Sequence, residues 1–367
     1  MKRLSPTPDR QDAILLLTTL LLLTVGITMI YSSSSILALE RFKDGQYFLK
    51  RQFFFILLGL VGMMILRKTP YQLLRKFAYP GLFLSVVLLV LLFVPNVGLR
   101  LNRATRWIKI WTFTFQVTEF VKVAMVIYLA HYLSKKDINP QDFKQGFLIP
   151  LTVTLFITAL ILWQPDFGTV VILAIIMLSL LYLSGARLRY LAGLLLLLAP
   201  IAAWQVMSSS YRWERLKTLF NPWSDPLGTG FQIIQSFISF GSGGAFGVGI
   251  GDGMQKLFYL PEPHTDFILS VIAEEGGFIL VTIIISLFVI LIFRGFMIAY
   301  KAPDLFGTLL ASGLTMTLAV EAFVNIAGVM GLIPVKGLVL PFVSYGGSSV
   351  LMSLATVGIL MNISSYR

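Results

Sequence analysis

From Asp266 to Phe293 the chain reads DFILSVIAEEGGFILVTIIISLFVILIF. After Asp266, the only charged residues in this stretch are Glu274 and Glu275. A helix rises about 1.5 Å per residue, so the stretch is long enough to cross a hydrocarbon core about 30 Å thick. Backbone groups that face lipid must be paired within their own segment, and the stretch is therefore predicted to be a transmembrane helix.

The composition of the whole chain agrees with that prediction. Hydrophobic residues make up 57% of the 367 residues, charged residues make up 13%, and the mean hydropathy is +0.84, which excludes a soluble globule with a polar surface. Nine further apolar stretches have about the length of a membrane span: Asp12–Ser34, Gln52–Leu66, Phe77–Val94, Phe115–Leu133, Phe147–Trp163, Phe167–Leu183, Arg189–Met207, Leu305–Met330 and Ser344–Ser364. The chain is predicted to be an all-α polytopic membrane protein, a single integral membrane domain (residues 1–367) built as a bundle of about ten transmembrane helices.

A polar insert of about sixty residues, from Met207 to Asp266, separates the seventh span from the eighth. Apolar residues from Phe231 to Phe240 recur at helical spacing, which predicts a short amphipathic helix on the outer membrane surface. Seven glycines follow between Gly241 and Gly253 and predict a compact loop. We interpret residues 207–266 as a large extracytoplasmic loop before the eighth transmembrane helix.

An even number of spans places both termini on the same side of the membrane. With the N-terminus inside, the cytoplasmic segments carry 15 Lys and Arg and the external segments carry 13, so the positive-inside rule favours this topology by a small margin. So many external cations indicate an anion-binding outer face, and contact with anionic lipid headgroups is the alternative. The external cations are Arg41, Lys43, Lys50, Arg51, Arg100, Arg103, Arg106, Lys109, Arg212, Arg215, Lys217, Lys256 and Lys336.

The chain has no Cys and only two His, His131 and His264. Disulfides and thiolate metal or redox centres are therefore excluded, and a multi-His zinc site is not predicted. No P-loop or Gly-rich dinucleotide motif of the required spacing is present, so ATP-driven transport is not predicted. Nothing in the sequence indicates a nucleic-acid partner.

Ionisable side chains inside the predicted spans are costly at membrane depth, which makes each one a candidate functional residue. Glu119 and Lys122 are three residues apart, so they are predicted to form an ion pair on one helix face. Glu274 and Glu275 are adjacent, and two neighbouring carboxylates cannot both reach partners easily. We therefore expect at least one of them to face the bundle interior or to stay protonated.

Other polar positions have a structural interpretation as well as a functional one. Glu321 and Asn325 share a helix face, where a packing network explains them as well as a substrate path does. Asp166 stands in a tight turn between the fifth and sixth spans and is predicted to cap the sixth helix. Ser344 belongs to a segment rich in Gly and Ser, which is either a phosphate site or a packing seam. Asp266 itself is either an N-cap or a reactive carboxylate.

Six segments carry a resemblance to a known family. They are Tyr31–Ser34, Ala104–Ile108, Phe115–Lys122, Gln164–Thr169, Gln255–Phe267 and Pro341–Gly347. In order and spacing they resemble the SEDS family of polytopic membrane glycosyltransferases, which polymerise the bacterial cell-wall precursor lipid II. The resemblance covers nearly the whole chain.

The resemblance implies an inverting peptidoglycan glycosyltransferase that acts on the outer face of the bacterial cytoplasmic (inner) membrane. Asp266 matches the family's essential Asp and is expected to be the general base that deprotonates the acceptor hydroxyl. Six of the external cations, together with His264 and Ser344, are expected to bind substrate and the pyrophosphate leaving group. These six are Arg106, Lys109, Arg212, Arg215, Lys256 and Lys336. The activated precursor drives the reaction, so no organic cofactor is expected, and whether a divalent cation, Mg²⁺ or Mn²⁺, takes part stays open.

The resemblance also implies partners. These are lipid II as substrate, a single-span class B penicillin-binding transpeptidase, and other membrane proteins of the division complex. The segments around Arg103 and from Lys336 to Ser349 resemble the family's cell-division member more than its elongation member, so a septal role is expected. The alternatives from other classes are a lipid II transporter, with the intramembrane polar residues along its path, and a scaffold protein.

Overall fold

The computed structural model describes residues 12–95, 97–101, 104–110, 113–208, 210–257, 260–335 and 337–366. Its helices are α1 (Ala13–Phe42), α2 (Tyr47–Lys68), α3 (Leu74–Leu91), α4 (Val117–Leu133), α5 (Ile149–Leu162), α6 (Phe167–Leu183), α7 (Leu188–Met207), α8 (Ser210–Phe220), α9 (Phe231–Gly243), α10 (Ile268–Tyr300), α11 (Leu305–Val329) and α12 (Gly347–Ser364). A 3₁₀ turn (Tyr71–Leu73) precedes α3, a π-helical turn (Phe143–Leu148) precedes α5, and a 3₁₀ turn (Pro222–Ser224) follows α8.

Each of the ten predicted spans falls on a helix. Seven helical segments in the described part of the chain are long and apolar enough to cross a membrane: Ala13–Phe42, Tyr47–Lys68, Tyr71–Leu91, Phe143–Leu162, Ile268–Tyr300, Leu305–Val329 and Gly347–Ser364. Two further apolar segments, Phe167–Leu183 and Leu188–Pro200, are shorter. Helix α4 has 17 residues and carries Glu119 and Lys122. The predicted helical multi-span bundle is confirmed.

Aspartates in the connections begin several of these helices. Asp12 at α1, Asp166 at α6 and Asp304 at α11 each accept a hydrogen bond from the backbone N–H three residues further on, at 3.0, 3.2 and 2.8 Å. Each of these bonds satisfies an N–H group that has no partner within the first helical turn. Asp166 therefore has the predicted capping role.

The all-α prediction missed a small antiparallel sheet between α3 and α4. Its strands are β1 (Gly98–Leu101), β2 (Ala104–Ile110) and β3 (Phe113–Gln116), paired in the order β1-β2-β3. The fourth span is predicted to begin at Phe115, but β3 continues to Gln116 and α4 begins only at Val117. Short runs of aromatic and β-branched residues cannot be told from the start of an apolar helix by periodicity alone, which explains the error.

The connections between helices gather at the two ends of the bundle. At one end, Arg294 near the end of α10 forms a salt bridge with Asp12 at the start of α1 (2.6 Å). At the other end lie the sheet, the α5–α6 turn and the described parts of residues 208–266 and 330–346. We call the second end the site end, because it contains Asp266.

The amphipathic helix predicted from Phe231 to Phe240 is present as α9, but it packs into the bundle instead of lying on the outer membrane surface. Ser236 and Ser239 on this helix are fully buried. Ser236 Oγ lies 2.7 Å from the Val329 carbonyl of α11 and 2.8 Å from Ser270 Oγ of α10. Ser236 on the inner face of α9 thus finds partners on two helices, which the hydropathy pattern does not reveal.

Helix α10 is bent at Gly277, whose φ of +66° and ψ of −171° are not helical. The glycine-rich segment Gly244–Gly249 packs against this bend through its backbone. Phe278 N donates to a carbonyl of the segment (2.9 Å), and the Glu274 carbonyl accepts from one of its amides (3.0 Å). A Cβ atom at position 277 would lie 2.3 Å from a backbone nitrogen of the segment, so this approach requires glycine.

Candidate active site

Asp266 lies two residues before the start of α10. Its backbone carbonyl accepts a hydrogen bond from Asn325 Nδ2 of α11 (3.0 Å), and Ser344 Oγ donates to the carbonyl of the preceding residue, Thr265 (2.7 Å). The N-cap position of α10 is Phe267, with no side-chain capping bond, so the alternative role of Asp266 as a helix cap is wrong. Two other segments therefore fix the backbone of Asp266, and its carboxylate takes no part in the helix start.

The pKa of the half-buried Asp266 is raised from its usual value near 3.8 to about 6. Burial is the main cause, because it penalises the charged form, and the negative charge of Glu262 adds to it. The guanidinium groups of Arg215 and Arg106 and a hydrogen bond from Thr265 act in the opposite direction. A carboxylate with this pKa is mostly ionised at neutral pH and accepts a proton more readily than an ordinary aspartate.

Arg106 reaches the site from β2. The register of β2 against β1 shifts between Trp107 and Thr105, which leaves Arg106 unpaired in a β-bulge. Such bulges redirect a side chain out of the regular alternation of a strand. The guanidinium donates to the Pro165 carbonyl (2.7 Å), and its Nε lies 3.6 Å from the carboxylate of Asp166. The bulge and the α5–α6 turn together hold Arg106 at the site.

Arg215 reaches the site from α8 in the insert. Its guanidinium donates to the Val335 carbonyl (2.8 Å), in the connection between α11 and α12. The same connection forms part of a small cavity beside Asp266. Residues that line this cavity include Asp266, Asn325, Gly328, Val335, Gly337 and Leu338.

Asn325 has a specific role that the sequence does not reveal. Its Nδ2 donates to the Asp266 carbonyl (3.0 Å) and to the Leu338 carbonyl (2.6 Å). The side chain is buried, and within the described residues its Oδ1 has no hydrogen-bond partner. The only sequence signal was an amide one turn from Glu321 in an apolar span. In the structure, Asn325 supports the candidate base and leaves a buried acceptor at the cavity.

Of two predicted substrate contacts, Ser344 supports the backbone next to Asp266 and His264 packs against two aromatic rings. The His264 ring lies 4.5 Å from the Phe48 ring and 5.6 Å from the Tyr345 ring, measured between centroids. Burial and the nearby charge of Arg41 lower the pKa of His264 to about 4, so its imidazole is neutral at physiological pH. Ser344 Oγ already bonds one backbone donor and one backbone acceptor.

Lys256, a predicted pyrophosphate ligand, points into a buried cluster. Its Nζ lies 2.6 Å from Glu275 Oε1 and donates to Ser32 Oγ (3.1 Å) and to the Gly251 carbonyl (2.6 Å). An ammonium group has three N–H donors, and three oxygens occupy them here. This arrangement does not support a direct role for Lys256 in binding pyrophosphate.

Glu274 and Glu275 are both buried, so the expectation that at least one of them faces the bundle interior is confirmed. The reason given for it, that the two carboxylates cannot both reach partners easily, is wrong. Glu274 accepts hydrogen bonds from the amides of Met254 (2.8 Å) and Gln255 (3.1 Å). Glu275 accepts from the amide of Gly251 (3.0 Å), in addition to the contacts with Lys256 and Ser32. The insert folds back over α10 and supplies these backbone donors, which the spacing of residues on α10 does not show.

Glu119 and Lys122 form the predicted ion pair, with 2.8 Å between Nζ and Oε1. Glu321 of α11 contacts the same ammonium group, and all three side chains are buried. The ion pair predicted within one helix is thus a three-residue cluster that joins α4 to α11.

Three predicted ligands remain, and only Lys109 among them has a side chain that the structure describes. Lys109 is exposed on β2. Lys336 and the side chain of Arg212 lie outside the described residues. Among the residues that are described, no three His, Asp or Glu side chains converge in a group that could hold a metal ion.

Comparisons with known proteins extend these observations. Residues 12–367 match the model of the cell cycle protein family that comprises FtsW, RodA and SpoVE. A protein of Trichlorobacter lovleyi named probable peptidoglycan glycosyltransferase FtsW is 48% identical, over 96% of this chain and 93% of its own length. Stage V sporulation protein E of Bacillus subtilis is 42% identical over 97% of each chain.

Solved structures have the same fold. One chain comes from a structure described as "Structural coordination of polymerization and crosslinking by a peptidoglycan synthase complex" and matches with a TM-score of 0.80, at 30% identity, over 96% of this chain and 97% of that one. The rod shape determining protein RodA of Thermus thermophilus matches with a TM-score of 0.71, at 26% identity, over 96% of each chain. The resemblance carried by six short segments is thereby confirmed over the whole fold, and the chain belongs to the FtsW/RodA/SpoVE family of cell cycle proteins.

Proposed function

We propose that this protein is a peptidoglycan glycosyltransferase that polymerises lipid II into β-1,4-linked glycan strands. The observation that carries the proposal is Asp266, a half-buried carboxylate whose pKa is raised to about 6 by burial and is subject to the charges of Arg106 and Arg215. Relatives that align over nearly their whole length are named peptidoglycan glycosyltransferase. The same activity follows from the sequence motifs.

Asp266 acts as the general base. A sugar hydroxyl is a poor nucleophile at neutral pH, and general-base assistance contributes about 10² to 10⁴-fold to the rate. The acceptor 4-hydroxyl gives its proton to the Asp266 carboxylate while its oxygen attacks the anomeric carbon of the donor, and the bond from that carbon to the pyrophosphate oxygen breaks. A single displacement converts an α-linked donor into a β-linked product, so no covalent glycosyl-enzyme forms.

Arg106 and Arg215 neutralise the negative charge that develops on the pyrophosphate. Cations stabilise such charge best when the protein holds them in place before the reaction. Both guanidinium groups are anchored on backbone carbonyls, at Pro165 and Val335. The alternative for this role is a divalent cation, which would supply positive charge to the pyrophosphate, and a chelator in the assay below separates the two.

We place this activity in septal cell-wall synthesis on the outer face of the bacterial inner membrane. Relatives at 42–48% identity are named FtsW or stage V sporulation protein E, whereas the solved RodA chain is 26% identical, which favours the division role over elongation. We also propose a class B penicillin-binding transpeptidase as partner. The support is that one matched chain comes from a peptidoglycan synthase complex in which polymerization and crosslinking are coordinated. Other division-complex membrane proteins complete the expected assembly.

The test is polymerisation of purified lipid II in detergent by the wild type, Asp266→Asn and Glu262→Gln. Asp266→Asn is expected to lose at least about 10²-fold in rate, because an amide does not accept the proton. Its thermal stability should not fall, since the change removes a partly buried charge. Glu262→Gln, the matched control on a neighbouring carboxylate, is expected to keep polymerising. A wild-type rate in Asp266→Asn would contradict the base assignment.

The same assay separates polymerisation from lipid II transport, the alternative from another class. Polymerisation in detergent needs no sealed membrane, whereas transport does. The intramembrane carboxylates that motivated the transporter hypothesis are paired with lysines or with backbone amides, which favours the polymerase. Further arms with the transpeptidase partner and with a chelator test activation by the partner and dependence on a metal ion.

A further inference from the structure

The outer wall of the bundle carries an apolar groove between α3 and α5, in the half of the bundle away from Asp266. Its volume is about 410 Å³, within the range of ~300–1,000 Å³ that is typical of ligand pockets. Its walls are formed by Leu82, Phe83 and Val86 of α3 and by Val153, Phe156 and Ile157 of α5. Phe83 and Phe156 are 71% and 55% exposed, so the groove opens toward the surrounding lipid.

A phenol and two lysines lie at one end of this groove. This end of the groove is the one farther from the site end of the bundle. Tyr79 lines the groove, and its hydroxyl accepts a hydrogen bond from Lys135 Nζ (2.7 Å). The same ammonium group lies 5.0 Å from the centre of the Tyr79 ring. Lys76 is exposed three residues before Tyr79 on α3 and therefore shares its helix face. The groove is thus apolar along its length and cationic at one end only.

The neighbouring charges leave this end positive. The connection after α4 contains Lys135, Lys136 and Lys144 against Asp137 and Asp142. Asp304, at the same end of the bundle, is already in a salt bridge with Arg75 (2.6 Å), and Asp12 is in one with Arg294 (2.6 Å).

We propose that this groove binds an anionic phospholipid, with an acyl chain between α3 and α5 and the phosphate at Lys135 and Lys76. The cation at one end and the apolar walls beyond it match the polarity of such a lipid. Basic pockets between membrane helices favour anionic headgroups, and aromatic side chains at the interface lie at headgroup level. This site is separate from the proposed polymerase site, so the two proposals are tested independently.

The test is equilibrium binding of phosphatidylglycerol and of phosphatidylcholine to the full chain in detergent, measured by native mass spectrometry. The wild type is expected to bind phosphatidylglycerol roughly tenfold more tightly. The double variant Lys76→Gln/Lys135→Gln should lose this preference. Lys301→Gln, which removes an exposed cation outside the groove at the same end, should keep it. Val153→Trp fills the groove and should weaken the binding of both lipids.

Three results would overturn the proposal, and two of them concern the wild type and the double variant. One is equal binding of the two lipids by the wild type, and the other is an unchanged preference in the double variant. A loss of preference in Lys301→Gln as large as in the double variant would also overturn it, because the attraction would then be non-specific. Unchanged thermal unfolding of all variants shows that the comparison is made between folded proteins.

Discussion

At the scale of single residues, Asp266 is subject to opposing influences. Burial and the charge of Glu262 raise its pKa, whereas Arg215 and Arg106 lower it, and the resulting value is about 6. Without the two arginines the pKa of this carboxylate would be higher, and without burial it would be lower and the group would be a weaker base. The combination gives a group that is both ionised and basic at the working pH.

The rate of polymerisation is therefore expected to rise with pH through about 6 and to level off above it, since only the ionised Asp266 accepts a proton. Glu262→Gln removes a like charge and should move this midpoint to lower pH, while Arg215→Gln removes an opposite charge and should move it to higher pH. Initial rates with saturating lipid II between pH 5 and 8 measure both shifts. A flat profile over this range in the wild type would contradict the assignment.

The sequence identifies Asp266 but not its neighbours. Arg106 and Arg215 were two of six candidate cations, and what selects them is a β-bulge in one case and the docking of α8 in the other. Neither spacing nor hydropathy encodes those features. Lys256 was as good a candidate as these two arginines in the sequence, but the insert folds it inward against Glu275. Contacts between segments far apart in the chain decide which residues belong to the site.

At the scale of elements, α11 connects the candidate base to the rest of the bundle. Asn325→Leu keeps the size of the side chain but removes both bonds to backbone carbonyls. It is expected to lower kcat about 10- to 100-fold with a smaller change in KM, because misplacing a catalytic group affects the transition state most. A displaced midpoint in the pH profile would accompany the loss, since the surroundings of Asp266 change.

A matched control exists at the opposite end of the bundle. Asn362 of α12 is also buried; its Oδ1 accepts from Tyr71 N (2.8 Å) and its Nδ2 donates to the Arg67 carbonyl (2.8 Å). Asn362→Leu should reduce thermal stability and leave the midpoint of the pH profile unchanged. If both leucine variants changed activity and pH profile alike, Asn325 would have a general structural role only.

The insert is attached to α10 through the buried pair of Lys256 and Glu275. Lys256→Met leaves the Glu275 carboxylate buried without its cation, and removing one partner of such a pair costs about 3–5 kcal/mol. The double variant Lys256→Met/Glu275→Leu removes both charges and should recover much of that loss. Unfolding in detergent, followed by thermal shift, measures both changes. Lys109→Met, at an exposed cation, should have little effect.

A single variant no less stable than the double one would show that the pair does not hold the insert in place.

The helices themselves followed from hydropathy, because each apolar stretch is long enough to bury its own backbone bonds in lipid. The attachment of the insert did not, since it depends on backbone amides of residues 251–255 meeting two carboxylates of α10. Local composition predicts elements of this class of protein better than it predicts the contacts between them.

At the scale of the whole molecule, the two ends of the bundle differ in kind although their numbers of Lys and Arg are nearly equal. The site end holds the sheet, the insert and the two arginines whose charges lower the pKa of Asp266. The opposite end holds capped helix starts and salt bridges such as that between Asp12 and Arg294. The positive-inside rule uses only the numbers of Lys and Arg and does not take this difference into account. The sequence therefore favoured one topology by only a small margin.

The proposed polymerase requires the site end to face outward. Labelling of introduced cysteines can measure this orientation, because the chain has no Cys of its own. Asp252→Cys lies in the exposed part of the insert, and Lys136→Cys lies in the exposed connection after α4, at the opposite end. In intact spheroplasts, a membrane-impermeant maleimide is expected to label Asp252→Cys, and to label Lys136→Cys only after permeabilisation. The wild type, without a thiol, sets the background. The reverse labelling pattern would place Asp266 on the cytoplasmic face. It would contradict the proposed polymerase, because that enzyme builds the wall outside the membrane.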